Sequence, residues 1–285
     1  MQNRPTVLIA GCGDVGTRLG VRLAADGWRV LGLRRDCSAL PPSIEPVPGN
    51  LAEPACPSAW PAEAPDYLVF AAAANSHDEA GYRQIYVQGL ANVLGWMHAR
   101  GQRPRRLLFV SSSGVYGQSR GEWVDEASPT EPQGFSGKIL LEAEQLALSS
   151  GLPASVVRLA GIYGPGRRWL LGQVRQGHRV PAEPVQYGNR IHAEDAAGLL
   201  AHLIEQDRRG TALQSCYLGV DDEPAALYEV VEWLRKRLNV TEETPAPVSR
   251  RAGSKRCSNA RARALGWQPA YPSFREGYAS LLEQS

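Results

Sequence analysis

The chain has 285 residues, 43% of them hydrophobic and 21% charged, and its formal net charge is +2. A charge this close to zero lacks the basic excess typical of a nucleic-acid-binding protein, and no run approaches the roughly 18 apolar residues of a membrane span. The length favours one large domain with a smaller appendage. The five cysteines are scattered without a CxxC pair, which favours reduced thiols in a cytoplasm over disulfides or a metal site.

Hydrophobic runs alternate with helical patterns through the first half of the chain. Apolar runs predict buried strands over 6–11, 28–35, 66–74, 105–113 and 154–164, with a weaker strand around "EPVPGN". Apolar residues at helical spacing predict helices over 16–27, 82–100 and 135–149. Continuous apolar strands separated by helices are typical of a parallel sheet with both faces covered. The expected fold class is therefore α/β, with a doubly wound parallel sheet.

A glycine-rich turn lies between the first predicted strand and the first predicted helix. In "IAGCGDVGTRLG", Gly11, Gly13 and Gly16 have the spacing GxGxxG. Small residues let the backbone approach a pyrophosphate, and the helix N-terminus offers free N–H groups and the positive end of a dipole. In this position the motif predicts a Rossmann-type dinucleotide site. The alternative is a tight turn without a ligand.

The end of the second predicted strand indicates which dinucleotide binds. An NAD-specific site usually places Asp or Glu there for the ribose 2′-hydroxyl, whereas this chain has Arg34 followed by Arg35. An arginine can pair with the 2′-phosphate of NADP, so NADP(H) is predicted to bind in preference to NAD(H). The alternative is a pair of solvated surface arginines. Three further residues are assigned to the cofactor site: Asp14, Val15 and Ala72.

Four further segments match the motifs of one family in order. They are "FVSSSGVYG" (109–117), "RLAGIYGPGR" (158–167), "NRIHAEDAAGLL" (189–200) and "ARALGWQPAYPSFREGY" (262–278). With the glycine turn, they resemble the extended short-chain dehydrogenase/reductases, or NAD-dependent epimerase/dehydratase family. The resemblance implies that Ser112 is catalytic and that Arg190 holds the diphosphate of a nucleotide sugar. It also implies that Asn50 replaces the Asp that touches the adenine, and that it can still hydrogen-bond.

The predicted helix 135–149 departs from the family pattern. In the family this helix begins Tyr-x-x-x-Lys, with both residues on one face; the lysine binds the nicotinamide ribose and lowers the tyrosine pKa. Here Lys138 matches the lysine, but Gly134 stands four residues before it, and no tyrosine lies between Tyr116 and Tyr163. The resemblance therefore implies an atypical member, in which Lys138 keeps its catalytic and cofactor role and tyrosine-type turnover is weak or absent.

Other polar and aromatic residues receive secondary assignments. His77, after the fourth strand and near the expected cleft, is the candidate to carry the proton instead of a tyrosine. Tyr116 and Tyr163 are expected to pack in the interior. His192 and Asp195 are expected to begin a helix and to have structural roles.

Together these patterns predict an organisation and a function. An NAD(P)-binding Rossmann domain is expected over 1–165 and a smaller C-terminal substrate domain over 166–285, with helix 190–206 returning to the large domain. The expected activity is a redox, epimerisation or dehydration step on a sugar-like or nucleotide-linked small molecule. The alternative is a catalytically silent NADP(H) sensor or scaffold. By analogy with the family, helices 82–100 and 135–149 would form a homodimer surface.

Overall fold

The computed structural model describes residues 4–242, 244–247 and 253–283. These residues form two compact units. Unit 1 contains the described residues of 1–115, 132–158 and 197–217, and unit 2 contains those of 116–131, 159–196 and 218–285. This division is discontinuous along the chain. Most of the helix expected over 190–206 belongs to unit 1, whereas residues 116–131, expected in the large domain, belong to unit 2.

A seven-stranded sheet has the strand order β12-β7-β5-β4-β1-β2-β3. Its strands are β1 (Thr6–Ala10), β2 (Arg29–Arg34), β3 (Glu45–Pro48), β4 (Tyr67–Phe70), β5 (Arg106–Ser112), β7 (Ala154–Leu159) and β12 (Cys216–Gly219). Strand β1 pairs in parallel with β2 and β4, and the pairs β2–β3 and β4–β5 are parallel as well. The chain thus winds outward from β1 in both directions, which is the doubly wound order of a Rossmann sheet. This confirms the predicted fold class.

Helices connect the strands of this sheet. They are α1 (Asp14–Ala25), α2 (Glu79–Tyr82), α3 (Gly89–Ala99), α4 (Phe135–Leu148) and α6 (Ala193–Arg208). A π-helical segment, Arg83–Gln88, joins α2 to α3, so the predicted helix 82–100 changes its hydrogen-bonding pattern along its length. A short 3₁₀ turn, Ser113–Val115, follows β5. Helix α6 begins at Ala193, whereas the sequence predicted that it would begin at residue 190.

The core of unit 1 follows from the unbroken apolar runs of its strands. Leu8, Leu68 and Leu107, on neighbouring strands, have no exposed surface. Leu90 and Val93 of α3 belong to the same buried cluster, so this helix covers the sheet with its apolar face. A strand that is apolar at every position is buried on both sides, as in parallel sheets.

The predicted strand 154–164 is wrong as a single element. Strand β7 ends at Leu159, and a separate strand β8 (Gly161–Tyr163) pairs in parallel with β11 (Arg190–His192). The partner changes between two consecutive residues, because the N–H of Ala160 donates to Gly219 O (2.9 Å) and that of Gly161 to Asn189 O (3.2 Å). A continuous apolar run does not encode this exchange of partners.

Unit 2 contains short strands and helices around a core of its own. The remaining strands are β6 (Arg120–Val124), β9 (His178–Arg179), β10 (Tyr187–Gly188), β13 (Ala225–Ala226), β14 (Thr244–Pro247) and β15 (Ser254–Cys257). The remaining helices are α5 (Trp169–Arg175), α7 (Leu227–Arg237), α8 (Ala260–Ala264) and α9 (Phe274–Glu283). Leu171 of α5, Val230 of α7 and Phe274 of α9 meet in one buried cluster. Among the described helices, none combines the length and hydrophobicity needed to cross a bilayer.

Candidate cofactor and active site

The glycine turn is built so that no larger residue fits at its first position. Gly11 has φ +80°, and a Cβ there would lie 2.5 Å from the backbone nitrogen of Ala72. The N–H groups of Gly11 and Cys12 both donate to Leu33 O at 3.0 Å, which ties the turn to the end of β2. The turn therefore lies where the ends of β1, β2 and β4 meet, and Ala72 lies against Gly11. The predicted contact of Ala72 with a cofactor stays a prediction.

Helix α1 directs its N-terminus at this turn. Its N-cap, Gly13, has no side chain to satisfy the first helical N–H groups, which suits an anion. The first-turn carboxylate of Asp14 would oppose an anion, but Arg18 pairs with it at 2.8 Å. Val15 is buried, and a Cβ at Gly16 would lie 2.9 Å from Ile9 Cγ2, so the helix packs closely on β1. The residues present therefore fit a dinucleotide pyrophosphate.

Arg34 lies over the glycine turn. Its Nη1 donates to Cys12 O at 3.2 Å, and a guanidinium has five N–H donors, so this bond uses one of them. Burial raises the pKa of the Cys12 thiol to about 11, while the charge of Arg34 opposes the rise. Arg35 is exposed. The predicted contact of Arg34 with a 2′-phosphate stays a prediction.

Asn50 closes a local turn after β3. Its Oδ1 accepts from the N–H of Ala52 at 3.2 Å, and its Nδ2 donates to Glu53 Oε1 at 3.0 Å. The amide is therefore engaged in the structure of this turn. Its contact with an adenine stays a prediction.

Ser112 ends β5, at the C-terminal edge of the sheet. Its Oγ accepts from the N–H of Gly114 at 3.0 Å, and the hydroxyl keeps its own proton for donation. Helix α4 lies directly on this turn, because a Cβ at Gly137 would be 2.8 Å from Gly114 O. The glycine at position 137 thus lets the first turn of α4 approach the end of β5.

A buried carboxylate fixes α4 against the sheet. Glu144 is 4% exposed. It accepts from Ser111 Oγ of β5 at 2.5 Å and from Arg158 Nη2 of β7 at 2.6 Å. These bonds hold α4 to two strands, one of which carries Ser112. The orientation of α4 relative to the candidate site is therefore set by this cluster.

Lys138 lies in the first turn of α4. It is exposed, and its spacing places it on one face with Phe135 and Glu142. The face turned to the strands carries Gly137 and Glu144. The predicted contact of Lys138 with a cofactor ribose stays a prediction.

Gly134 is the N-cap of α4 and lies in open space. A Cβ there would find its nearest neighbour, Ser136 Oγ, at 3.9 Å. Helix α4 contains no tyrosine. It therefore does not supply the phenol that the family places four residues before the lysine.

An aromatic cluster, formed by His77, Tyr82, Tyr86 and Phe135, lies beside the start of α4. His77 Nδ1 is 3.2 Å from the Tyr82 hydroxyl oxygen. The ring centroid of Tyr82 is 5.5 Å from that of Phe135 and 5.3 Å from that of Tyr86. Of the residues in this cluster, only His77 was expected near the cleft. Tyr82 and Tyr86 lie four residues apart at the start of the predicted helix 82–100, a spacing that places them on one helix face.

Arg190 is in the interior of unit 2. It is 7% exposed, and its Nη1 donates to Gly188 O at 3.0 Å. Burial raises the pKa of the nearby Asp221 to about 8, and the charge of Arg190 opposes that rise. The predicted role of Arg190 toward a substrate diphosphate stays a prediction, and its burial does not support it.

Other assigned residues of unit 2 are structural. Tyr116 and Tyr163 are 3% and 5% exposed, in agreement with their expected packing roles. The Asp195 carboxylate accepts from the backbone N–H groups of Ala270 (2.6 Å) and Tyr271 (3.0 Å). It therefore ties the start of α6 to the segment before α9.

Comparison with known proteins gives a consistent result. Residues 7–214 match the model of the NAD dependent epimerase/dehydratase family. The chain is 34% identical to a candidate NAD-dependent epimerase/dehydratase of known structure from Methylobacillus flagellatus, with a TM-score of 0.82 over 99% of both chains. It is 29% identical to protein YeeZ of Escherichia coli (strain K12) over 74% of this chain and 77% of YeeZ. It is 28% identical to a 3-diazoavenalumate denitrifying reductase of Streptomyces sp. over 95% of this chain and 98% of that protein.

Proposed function

Because the chain belongs to the NAD-dependent epimerase/dehydratase family, we propose that it binds NADP(H) in preference to NAD(H) and acts with it on a small molecule. The observation that carries this proposal is the turn at Gly11. Its φ of +80° and its close approach to Ala72 leave a cradle that any side chain would fill. Such a cradle at the N-terminus of a helix suits a pyrophosphate.

Each residue of the cradle has a role toward the cofactor. The N–H groups at the start of α1 bind the pyrophosphate, and Arg34 binds the 2′-phosphate with the donors that its bond to Cys12 leaves. A bound nicotinamide supplies or accepts the hydride. Ser112, at the end of β5, donates its hydroxyl proton in a hydrogen bond to a substrate oxygen.

Within this family, we favour a reduction of a small molecule without a nucleotide diphosphate. Arg190, the residue expected to bind a diphosphate, is buried and bonded to Gly188. A relative that aligns with 95% of this chain is named as a reductase. Epimerisation or dehydration of a sugar-like substrate is the broader family alternative. A silent NADP(H) sensor is the second candidate, because Gly134 provides no acid or base.

The cofactor preference is tested by calorimetric titration of NADPH and NADH. A charge-assisted bond from Arg34 to a phosphate is worth about 1.5–3 kcal/mol, or roughly ten- to a hundredfold in affinity. Arg34→Asp should abolish the preference, and Arg103→Asp, the same charge change at an exposed position before β5, should preserve it. Equal affinities of the parent protein for the two cofactors would contradict the proposal.

The enzyme and the sensor are distinguished by a substrate search. A metabolite library is screened by thermal shift in the presence of NADPH, and each stabilising compound is then assayed for NADPH oxidation. Turnover of any such compound supports an enzymatic function. Tight NADPH binding without turnover of any compound in the library supports the sensor.

A further inference from the structure

We infer that unit 2 carries a binding site for a small aromatic carboxylate, in which Arg256 binds the anion and Trp123 contacts the ring. Arg256 lies on β15, and Trp123 lies opposite it on the paired strand β6. Tyr187 of β10 completes the site. The inference goes beyond the proposed function and is independent of it, because the residues assigned to the cofactor belong to unit 1.

A bulge in β6 fixes the guanidinium of Arg256. The register between β6 and β15 shifts by one residue at Gly121. Gly121 has φ +84°, and a Cβ there would lie 3.1 Å from Cε2 of Tyr187. The Gly121 carbonyl O accepts from Arg256 Nε at 2.8 Å. Bulges re-aim side chains and are frequent beside binding sites, and this one ties the arginine head group to the backbone of the neighbouring strand.

Two aromatic rings contact the same guanidinium. Its Cζ lies 5.1 Å from the ring centroid of Trp123 and 4.8 Å from that of Tyr187, within the range of a cation–π interaction. Tyr187 is itself held in place, because its backbone N–H donates to Ser254 Oγ of β15 at 3.0 Å. The head group is therefore oriented before any ligand arrives, which reduces the entropy lost on binding.

The Nη1 and Nη2 groups of Arg256 are available to a ligand. The bond to Gly121 uses the Nε–H, and within the described part of the chain Arg256 makes no further hydrogen bond and no ion pair. Arg29 and Arg83, which are also partly exposed, each pair with a glutamate at 2.8 and 2.7 Å. Arg256 is thus a fixed, partly exposed cation whose charge is complementary to an anion from solution.

The chemistry of the site favours a carboxylate with an aromatic body. Two N–H groups of a guanidinium match the two oxygens of a carboxylate, and one guanidinium balances its single negative charge. Trp123 is 57% exposed and lies beside these donors, so a ring attached to the bound carboxylate can stack on the indole. A phosphate dianion would lack a second fixed cation and would leave the indole uncovered.

The first test measures binding at Trp123 in the full chain. The protein is labelled with 5-fluorotryptophan, and the ¹⁹F resonances are assigned with Trp123→Phe and Trp169→Phe. Added 3-phenylpropionate should shift the Trp123 resonance in a saturable way. It should leave Trp169 unchanged, a matched control that is 58% exposed on α5. Equal shifts of both resonances would show that the acid only adheres to exposed indoles, and either that result or an unshifted Trp123 would overturn the proposal.

The second test measures the contribution of Arg256. Arg256→Gln should raise the Kd for 3-phenylpropionate by about tenfold or more, the usual effect of losing a charge-assisted hydrogen bond. Arg256→Lys keeps the charge without the planar fork and should also weaken binding. Arg120→Gln removes a side chain of β6 that is 90% exposed and should leave Kd within about twofold. A parental Kd in Arg256→Gln, or an equal loss in Arg120→Gln, would overturn the assignment.

The third test measures the class of ligand. 3-Phenylpropionate should bind about two- to tenfold more tightly than propionate, because only the aromatic acid stacks on the indole. Trp123→Ala should remove this difference. Inorganic phosphate should bind more weakly than either acid. Tighter binding of phosphate, or an aromatic preference that survives Trp123→Ala, would overturn the proposed class.

Thermal unfolding and NADPH titration of each variant complete the experiment. Arg256→Lys and Trp123→Ala keep the glycine bulge and should unfold at the parental Tm, so a loss of binding in them is a property of the folded protein. A parent protein that binds NADPH but not 3-phenylpropionate overturns this inference alone. A parent protein that binds 3-phenylpropionate but neither NADPH nor NADH overturns the proposed function alone.

Discussion

Removal of the Glu144 carboxylate should destabilise unit 1 far more than removal of the nearby Glu142 carboxylate. Both residues lie on α4 and both pair with an arginine. Glu144 and its partner Arg158 have side chains that are 5% and 10% exposed, whereas Glu142 and Arg83 are 48% and 49% exposed. The two pairs therefore differ mainly in burial.

The magnitudes follow from this difference. Glu144→Ala leaves a buried guanidinium without its partner, which typically costs about 3–5 kcal/mol. Glu142→Ala breaks a solvated pair that is worth about 1 kcal/mol or less. Since 285 residues at about 2.1 cal/mol/K each give an unfolding entropy near 0.6 kcal/mol/K, the first change should lower Tm by about 5–8 °C.

Urea and thermal unfolding, followed by circular dichroism, measure both variants. Glu144→Gln keeps the shape and the Ser111 contact, so its loss should fall between the two alanine variants. Similar losses in Glu144→Ala and Glu142→Ala would refute the argument that burial decides the strength of these pairs.

Three further predictions concern other parts of the molecule. Gly11→Ala should abolish NADPH binding in calorimetry, because its Cβ would overlap Ala72 at a φ of +80°; retained binding would show that the turn moves. Lys138→Ala should weaken NADPH binding, unlike the control Lys236→Ala, because the exposed ammonium at the start of α4 can donate to ribose hydroxyls; an unchanged Kd would show that Lys138 is only a surface charge. Burial raises the pKa of Asp221 from 3.8 to about 8. The protonated carboxyl of Asp221 therefore stabilises the fold in acid, and this stability is lost as the pH rises from about 4 to about 8. Asp221→Asn should flatten the fall in Tm between pH 4 and 8. An unchanged dependence of Tm on pH would show that another group is responsible.

The sequence predicted the parts of the fold that depend on local patterns. Unbroken apolar runs predicted the buried strands β1, β4 and β5, and the glycine spacing predicted the tight turn after β1. Both signals lie within a few consecutive residues, so they can be recognised without knowledge of the tertiary structure. The order of strands then follows from the rule that parallel strands are joined by crossing helices. The break after Leu159 was not predictable, because it depends on which strands lie nearby.

The candidate site was predictable only in part for the same reason. Gly11 directly follows β1, and Arg34 and Ser112 are the last residues of β2 and β5, so their place at the sheet edge can be inferred. The π-helical turn over Arg83–Gln88 was not predictable, because "YRQIYVQG" carries no recognised signal for it. The orientation of Lys138 depends on which face of α4 meets the strands, and Glu144 determines that through partners on β5 and β7.

The division of the chain into alternating segments has a consequence for synthesis on the ribosome. The glycine turn and the first five strands of the sheet emerge early, but β12, which covers β7 at the sheet edge, ends at Gly219. Strand β7 ends at Leu159, 60 residues earlier, so at about 5–20 residues per second roughly 3–12 s pass between the completion of the two strands. Until then β7 exposes unpaired N–H and C=O groups, to which another nascent chain can pair. This edge of the sheet is therefore open to pairing between nascent chains during this interval, before the second unit is complete.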